Sequence, residues 1–370
     1  MAPPQPKVRV VCVGAIYMDT IWTVPSFPKE DSKLRASHVE RRRGGNVGNT
    51  LEVLSEIIEW ATADHPSETV KIPETFLELV AALPEWNSVD KQEVSKSLPL
   101  VKIREGGMCR VGYQMAASSM IIHSLDTGSR TIISHNSNLP EMTTSDFFDA
   151  LPKFHPNDTR RHWFHFEGRN PDVTCECIQR LRTSDVPGGL MISVECENPE
   201  RRTIEYAAMH ANVVFYSKQW AEGHGFTDPE TFLMSLFGLQ FTEKNVLLVC
   251  TWGEQGAVAV LFKPLTGHTE WARCSAWSPA PHSIAQVVDP IGAGDTFNAG
   301  MIFCLAHYPE HPLQHKLRFA VEIASRKVYQ SGFKGLGKPM RMSNILLDPA
   351  LSPWVKDVSG LGTWARRLVG

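Results

Sequence analysis

Gly292-Ala293-Gly294-Asp295 lies late in the chain, within "VVDPIGAGDTFNAGMIFCLAH", between an apolar run and a longer amphipathic one. Glycines at the start of a helix let backbone N–H groups converge on one point, and the helix dipole adds positive potential there. Such a place suits an anion, yet a carboxylate beside a merely stored anion would repel it. The pairing makes chemical sense when the anion is a phosphoryl group in transit and the carboxylate takes the proton of the attacking hydroxyl. Asp295 is therefore the candidate general base. Gly292, Ala293, Gly294 and Asp295 supply the candidate anion hole, through the N–H groups of the last three. The plain alternative is a turn with Asp295 capping the helix that follows. A dinucleotide fingerprint fits less well, because Phe297 stands where its third glycine is needed. No G-x-x-x-x-G-K-[ST] occurs, which excludes a P-loop kinase.

Elements must position that turn. "VRVVCVG" near the start is a short apolar run ending in glycine, as buried parallel strands do. After "GGN", Val47, Leu51, Leu54, Ile58 and Ala61 recur at helical spacing, opposite Glu52, Ser55, Glu56 and Glu59. "RHWFHFEG", "GGLMISVEC", "ANVVFYS", "NVLLVCTWG" and "GAVAVLF" read as further strands. Asp172–Arg182 and Pro229–Leu239 read as helices between them. The alternation predicts an α/β fold with a doubly wound, mainly parallel sheet flanked by helices. Ile16–Arg43 and Met115–Asn136 break the rhythm as short alternating strands, and predict a small antiparallel sheet standing off the main body. Pro66–Leu98, which contains "FLELVAAL", predicts one helix and no more.

Bulk properties narrow the partners. The 370 residues are 42% hydrophobic and 21% charged, with a formal net charge of -3. That balance gives no electrostatic reason to expect nucleic acid or an anionic membrane. Arg41–Arg43 is the densest basic run and is too short for a nucleic-acid patch. The expectation is a cytoplasmic protein: the first residues lack the order of a secretory signal, and no apolar run is long enough to span a bilayer. The eight cysteines lie mostly in apolar surroundings and read as small core residues, not a disulfide framework. His162 and His165 fall on opposite faces of one strand, so they are poor joint metal ligands and read as structural.

"DPIGAGDTFNAG" resembles the D-T-x-G-A-G-D-x-F-x-A-G signature of the ribokinase-like (phosphofructokinase-B type) sugar kinases, with Pro290 in place of threonine. "FPKEDSKLRASHVERRRGGNVGNTLEVLS" is similar to the first signature of that family. "GSRTIISHNSNLP", "WFHFEGRNPD", "ISVECENPE", "VVFYSK" and "VLLVCTWGEQGA" are similar, in order, to segments of its ketohexokinase branch. The resemblance covers most of residues 8–335 and implies a ribokinase-like α/β/α sandwich. It places a small β-sheet lid at about 16–43 and 115–136, and leaves 336–370 as a tail. It implies ATP and magnesium as cofactors and a ketohexose, fructose in the first instance, as acceptor. It also implies a homodimer through the lid sheets. Another sugar or nucleoside kinase of the family, or a non-catalytic sugar- or nucleotide-binding protein on the same fold, are the alternatives.

Residue by residue, the resemblance puts Asp19, Asp31, Gly44, Gly45, Asn46 and Asn49 around the sugar. Carboxylates and amides suit hydroxyl recognition. Arg130 and Arg169 match positions near substrate and phosphate. Trp252, Gly253, Glu254 and Gly256 match the segment lining the nucleotide site. Asp289 and the Ile291 carbonyl match part of a monovalent-cation site that would take potassium. Three departures stand out. Ser217-Lys218-Gln219-Trp220 replaces the Asn-x-x-Glu found in many members, as it does in ketohexokinases. Pro290 removes one N–H from the loop and restricts Asp289. Residues 59–110 lack the usual G-x-x-G-x-D segment, with "REGGMCRVGY" (Arg104–Tyr113) the faint counterpart.

Overall fold

In the computed structural model, residues 7–63, 72–136, 138–279 and 287–340 are described. The chain opens with β1 (Val8–Val13), buried on both faces. It leaves the main sheet for β2 (Tyr17–Val24) and β3 (His38–Gly44), returns through α1 (Asn46–Thr62), and lays β4 (Thr75–Val80) beside β1. Short pieces follow: β5 (Leu83–Pro84), α2 (Val89–Ser97), β6 (Val101–Ile103) and β7 (Cys109–Arg110). A second excursion makes β8 (Ala117–Ser124) and β9 (Arg130–His135). After α3 (Thr144–Ala150) the alternation is regular: β10 (Arg161–Phe166), α4 (Pro171–Thr183), β11 (Leu190–Cys196), α5 (Ile204–Ala208) and β12 (Val213–Tyr216). Then come α6 (Lys218–Gly223), α7 (Pro229–Ser235), β13 (Val246–Thr251), β14 (Ala257–Lys263) and β15 (His268–Cys274). Two long helices, α8 (Ala293–His307) and α9 (Leu313–Lys327), follow.

Among the described residues the main sheet has the order β15-β14-β13-β12-β11-β10-β1-β4-β6, parallel from β6 to β13 with an antiparallel edge beyond. Alternate strand residues feed two cores. Val10, Cys12, Trp163, Phe215 and Val249 point to one, together with α1, α8 and α9. Val11, Val13, Phe164, Tyr216 and Cys250 point to the other, with α4, α5 and α7. Strands buried on both faces explain the near-continuous apolar runs in the sequence. The chain builds outward from β1 in one direction to β4 and β6 and in the other to β10, so the crevice beyond Val13 and Phe166 is a topological switch point. Open α/β sheets bind ligands in such crevices.

Three expectations change. The small sheet, β3-β2-β8-β9, is mixed and not antiparallel, because its two halves come from distant segments and join through the parallel pair β2–β8. "TFLELV" is a strand, since the position beside β1 rewards an apolar run buried on the sheet whatever its helix propensity. Among the described residues of that region the one helix is Val89–Ser97, capped by Ser88. The run after Gly292 is buried almost all round, not amphipathic, because α1 and α9 flank α8 and the sheet lies beneath. Leu336 and Met340 still pack into the core; residues 341–370 lie outside the described ones. No helix among the described residues is long and apolar enough to cross a membrane.

The small sheet has two unlike faces. Register places Asp19, Arg42, Ser119, His123 and Arg130 on one. Trp22, Val39, Met120 and Ile133 share the other and are each more than two-fifths exposed.

Gly300 sets how closely α8 and α9 approach: a Cβ there would meet Ala320 Cα at 2.9 Å and Ile323 Cγ2 at 3.1 Å. Gly300→Val should therefore cost about 1–3 kcal/mol through overpacking. The check is urea unfolding, with a lowered midpoint and an unchanged slope expected.

Candidate active site

Gly292 caps α8 in the left-handed region, at φ 82, and a Cβ there would lie 2.5 Å from Phe333 Cζ. Conformation and packing both demand glycine at this position. Gly294 is different. It is the second residue of α8, and a Cβ on it would meet no protein atom within 4 Å. That open space is a cavity of about 600 Å³. Pro290, Ala293, Gly294 and Phe297 line it from the helix mouth, and Thr251, Gly253, Glu254 and Gly256 from the turn after β13. Two segments separated by some forty positions thus form opposite walls of one pocket. Trp277 and Tyr329 complete it, with the Trp277 N–H fixed to Ser325 Oγ at 3.0 Å and the Arg326 guanidinium 4.1 Å above the Trp277 ring. Trp252, expected to line this pocket, is instead turned into the core beneath the turn, because an apolar indole gains more by burial there.

Asp295 is buried, at 8% exposure, and joined to α1: Asn49 Nδ2 donates to its Oδ2 at 2.7 Å. Arg43 fixes the amide orientation by donating to Asn49 Oδ1 at 2.8 Å, and is itself paired with Glu52. Asn49, expected to face sugar, gives one of its two amide hydrogens to the carboxylate. Burial pushes the Asp295 carboxyl well above the ordinary range; Glu195 adds to this and the Asn49 hydrogen bond opposes it. Asn46 donates to Glu195 at 3.0 Å and to Glu197 at 2.9 Å. Burial pushes Glu195 up to about 8 and Glu167 up to about 7. His165 is held neutral, pushed down by burial to about 3. Ser193 Oγ accepts from Trp163 Nε1 at 2.8 Å and lies 2.9 Å from His165 Nδ1, which leaves Nε2–H to donate to Glu195 at 2.8 Å. His162 packs edge-on against Phe154 on the opposite face, so the two histidines share no ligand.

On the side of the small sheet, Asp19 is buried against Gly44, so closely that a side chain at Gly44 would collide with its carboxylate. Burial pushes its carboxyl up, opposed by Ser119, Arg42 and Arg43. Gly45, at φ 93, is the N-cap of α1 and lies on the Ala15 carbonyl. Arg43 feels both Asp295 and Asp19 and so connects the two ends of the site. Arg169 bonds to Tyr17 and, at 3.1 Å, to Glu141, at the switch-point crevice lined by Gly14, Ala15 and Ile16. Arg130 lies with Arg42 and Asp289 around a separate cavity of about 240 Å³. Asp31 is not brought to this cluster: it is exposed, at φ 59, in the loop between β2 and β3.

Asp289 accepts from Arg42 Nη1 at 3.0 Å and Lys327 Nζ at 3.0 Å, and its Oδ1 takes the Ile291 N–H at 3.0 Å. Burial pushes its carboxyl up, but the two cations more than offset that and hold it below the usual carboxylate range. The groups that sequence reading missed are Arg42, Arg43, Glu195, Trp277, Lys327 and Tyr329. Only the arginines carried a signal, as the run "RRR" directly before the paired glycines.

Residues 115–336 match the description "pfkB family carbohydrate kinase". The chain is 30% identical over 337 residues to mouse (Mus musculus) ketohexokinase, covering 89% of this chain and 98% of that protein. Among solved structures it is similar to ribokinase from Giardia lamblia, with a TM-score of 0.64 and 16% identity over 94% of this chain and 100% of that one. It is likewise similar to ribokinase from Cryptococcus neoformans var. grubii in complex with ADP, with a TM-score of 0.62 and 16% identity over 92% and 99%. A glycine-rich helix mouth open to a cavity, a buried acid beside it, a ribokinase-like sheet with a second small sheet, and these likenesses agree: the chain belongs to the pfkB family of carbohydrate kinases.

Proposed function

We propose that this protein is an ATP-dependent ketohexose kinase that converts fructose to fructose 1-phosphate. The observation that carries the reading is the division of labour at the start of α8. Gly294 opens onto the cavity, while Asp295, the next residue, is buried on the α1 side, toward Arg43 and Asp19. The nucleotide lies in the 600 Å³ cavity with its γ-phosphate at the Ala293, Gly294 and Asp295 N–H groups. The sugar lies toward Asp19, Gly45 and Arg169. Its hydroxyl oxygen forms the bond to Pγ as the bond from Pγ to the β-bridging oxygen breaks. ADP leaves and the proton passes to the Asp295 carboxylate. The 30% identity to mouse ketohexokinase supports the choice of sugar. Magnesium, in this reading, arrives on the nucleotide and bridges its phosphates. The eight free thiols support a cytoplasmic enzyme. The exposed apolar outer face of the lid supports a homodimer joined there.

A coupled ADP-release assay over a sugar panel tests the reading; the highest kcat/KM is expected with fructose, and equal or greater turnover of ribose or a nucleoside would replace it. In the same assay Asp295→Asn should lower kcat by about 10²–10⁴-fold with little change in ATP or sugar affinity. The base must be ionised and its pKa is raised, so wild-type kcat should climb with pH and level off above the ordinary carboxylate range. Gly294→Ala should melt no lower than wild type, since alanine favours a helix and meets no neighbour. Its KM for ATP, however, should rise at least about tenfold, because the methyl projects where a phosphate must approach. Sedimentation velocity should give a dimer for wild type and a monomer for Trp22→Glu combined with Ile133→Glu, with unchanged circular dichroism.

A further inference from the structure

The resemblance implies a potassium ion at Asp289 and Ile291, and the side chains present do not fit one. Lys327 is the reason. It ends α9 and is fully buried, at 0% exposure. Its ammonium donates to the Asp289 carbonyl oxygen at 2.7 Å, to Asp289 Oδ2 at 3.0 Å and to the Gln330 carbonyl at 3.4 Å, and lies 5.3 Å from the Phe333 ring centroid. A buried lysine is tolerated only when its charge is answered in this way. A potassium ion sheds its water for a shell of carbonyl and carboxylate oxygens, and oxygens of that kind already surround an ammonium that cannot diffuse away. The Arg42 guanidinium takes the same Asp289 oxygen, so a metal ion would enter as a third positive charge on one carboxylate. The Val328 carbonyl is likewise committed, to the N–H groups of Val288 at 2.7 Å and Asp289 at 3.1 Å.

We propose that Lys327 is a built-in cation: its ammonium takes the place of a monovalent metal ion beside the anion loop, and this chain holds the loop without potassium. Lys327 is then a positioning residue, touching neither nucleotide nor sugar. It anchors Asp289, whose other carboxylate oxygen holds the Ile291 N–H immediately before the α8 mouth. Phe333, against which it packs, is the ring that fills the space over Gly292. The end of α9 adds to this, because the last turn of a helix favours a cation.

The activity readout rests on the kinase reading above; the melting readout does not, so failure of one is distinguishable from failure of the other. Wild-type enzyme is melted and assayed in potassium, sodium and choline chloride at equal ionic strength. The expected result is a melting temperature equal within about 1 °C and a kcat equal within about twofold across the three salts. A potassium-specific rise in melting temperature, or a potassium-specific activation of about fivefold or more, overturns the proposal. Lys327→Ala should lose at least about tenfold in kcat and regain most of it in potassium or ammonium chloride but not in choline. A loss that no small cation repairs would make Lys327 a simple strut and would also overturn the proposal, as would an unaltered kcat. Should Lys327→Ala fail to fold, the wild-type salt series decides alone.

Discussion

A carboxylate buried between two helices needs a partner, and for Asp295 that partner is one amide. The Asn49–Asp295 hydrogen bond ties the first turn of α1 to the first turn of α8, and much else in the site follows from it. It fixes where the acid points, offsets part of the cost of its desolvation, and commits the Asn49 oxygen to Arg43. Arg43 must then be buried too, and Glu52 neutralises it from the same helix. Placing one reactive group has arranged a chain of four polar side chains, each satisfying the next. Deeper in, Glu195 and Glu167 are pushed toward neutrality, so fewer negative charges surround Asp295 than a count of acids suggests.

The three consecutive arginines show why a charge run is a weak guide by itself. Neighbours on a strand point to opposite faces, and each guanidinium finds a different element. Arg41 pairs with Asp90 on α2 at 2.6 Å, Arg42 with Asp289 before α8, and Arg43 with Glu52 on α1. What reads as a basic cluster is a clamp holding the small sheet to the main body at three points. Arg42 and Arg43 are paired inward and Arg41, half exposed, is paired to Asp90, so the run offers little free charge to a polyanion.

Much of the architecture was legible because its periodicities were clean. β1, α1 and the strands from β10 to β14 all lie where apolar spacing put them. The conjunction of Gly292–Asp295 with the Gly253–Gly256 turn came through the family resemblance alone, since nothing in the turn's own residues names a partner some forty positions on. What stayed hidden depended on neighbours far along the chain. "TFLELV" is helical by composition and becomes a strand only because β1 offers an edge to pair with. The parallel join of β2 to β8 links segments about a hundred residues apart, which no local pattern can announce. Lys327 looks like an ordinary helix residue until the 289 loop is set against it, and Asn49, picked out for the sugar, shows its bond to Asp295 only once α8 is in place. Trp252 lies in a motif yet faces away from the cavity, because position in a motif does not decide which way a side chain turns.

The small sheet is threaded twice. One excursion leaves after Ala15 and returns at Gly45, the other leaves near Met115 and returns near Asn136, and the two are welded by the parallel ladder at the centre of the small sheet. A flap made from one hairpin can peel open strand by strand about two backbone pivots. Four crossings and a shared ladder forbid that. Joined in this way, the small sheet is one body, and because Arg42 on β3 pairs with Asp289, which also takes the Ile291 N–H, that body is tied directly to the turn that opens α8.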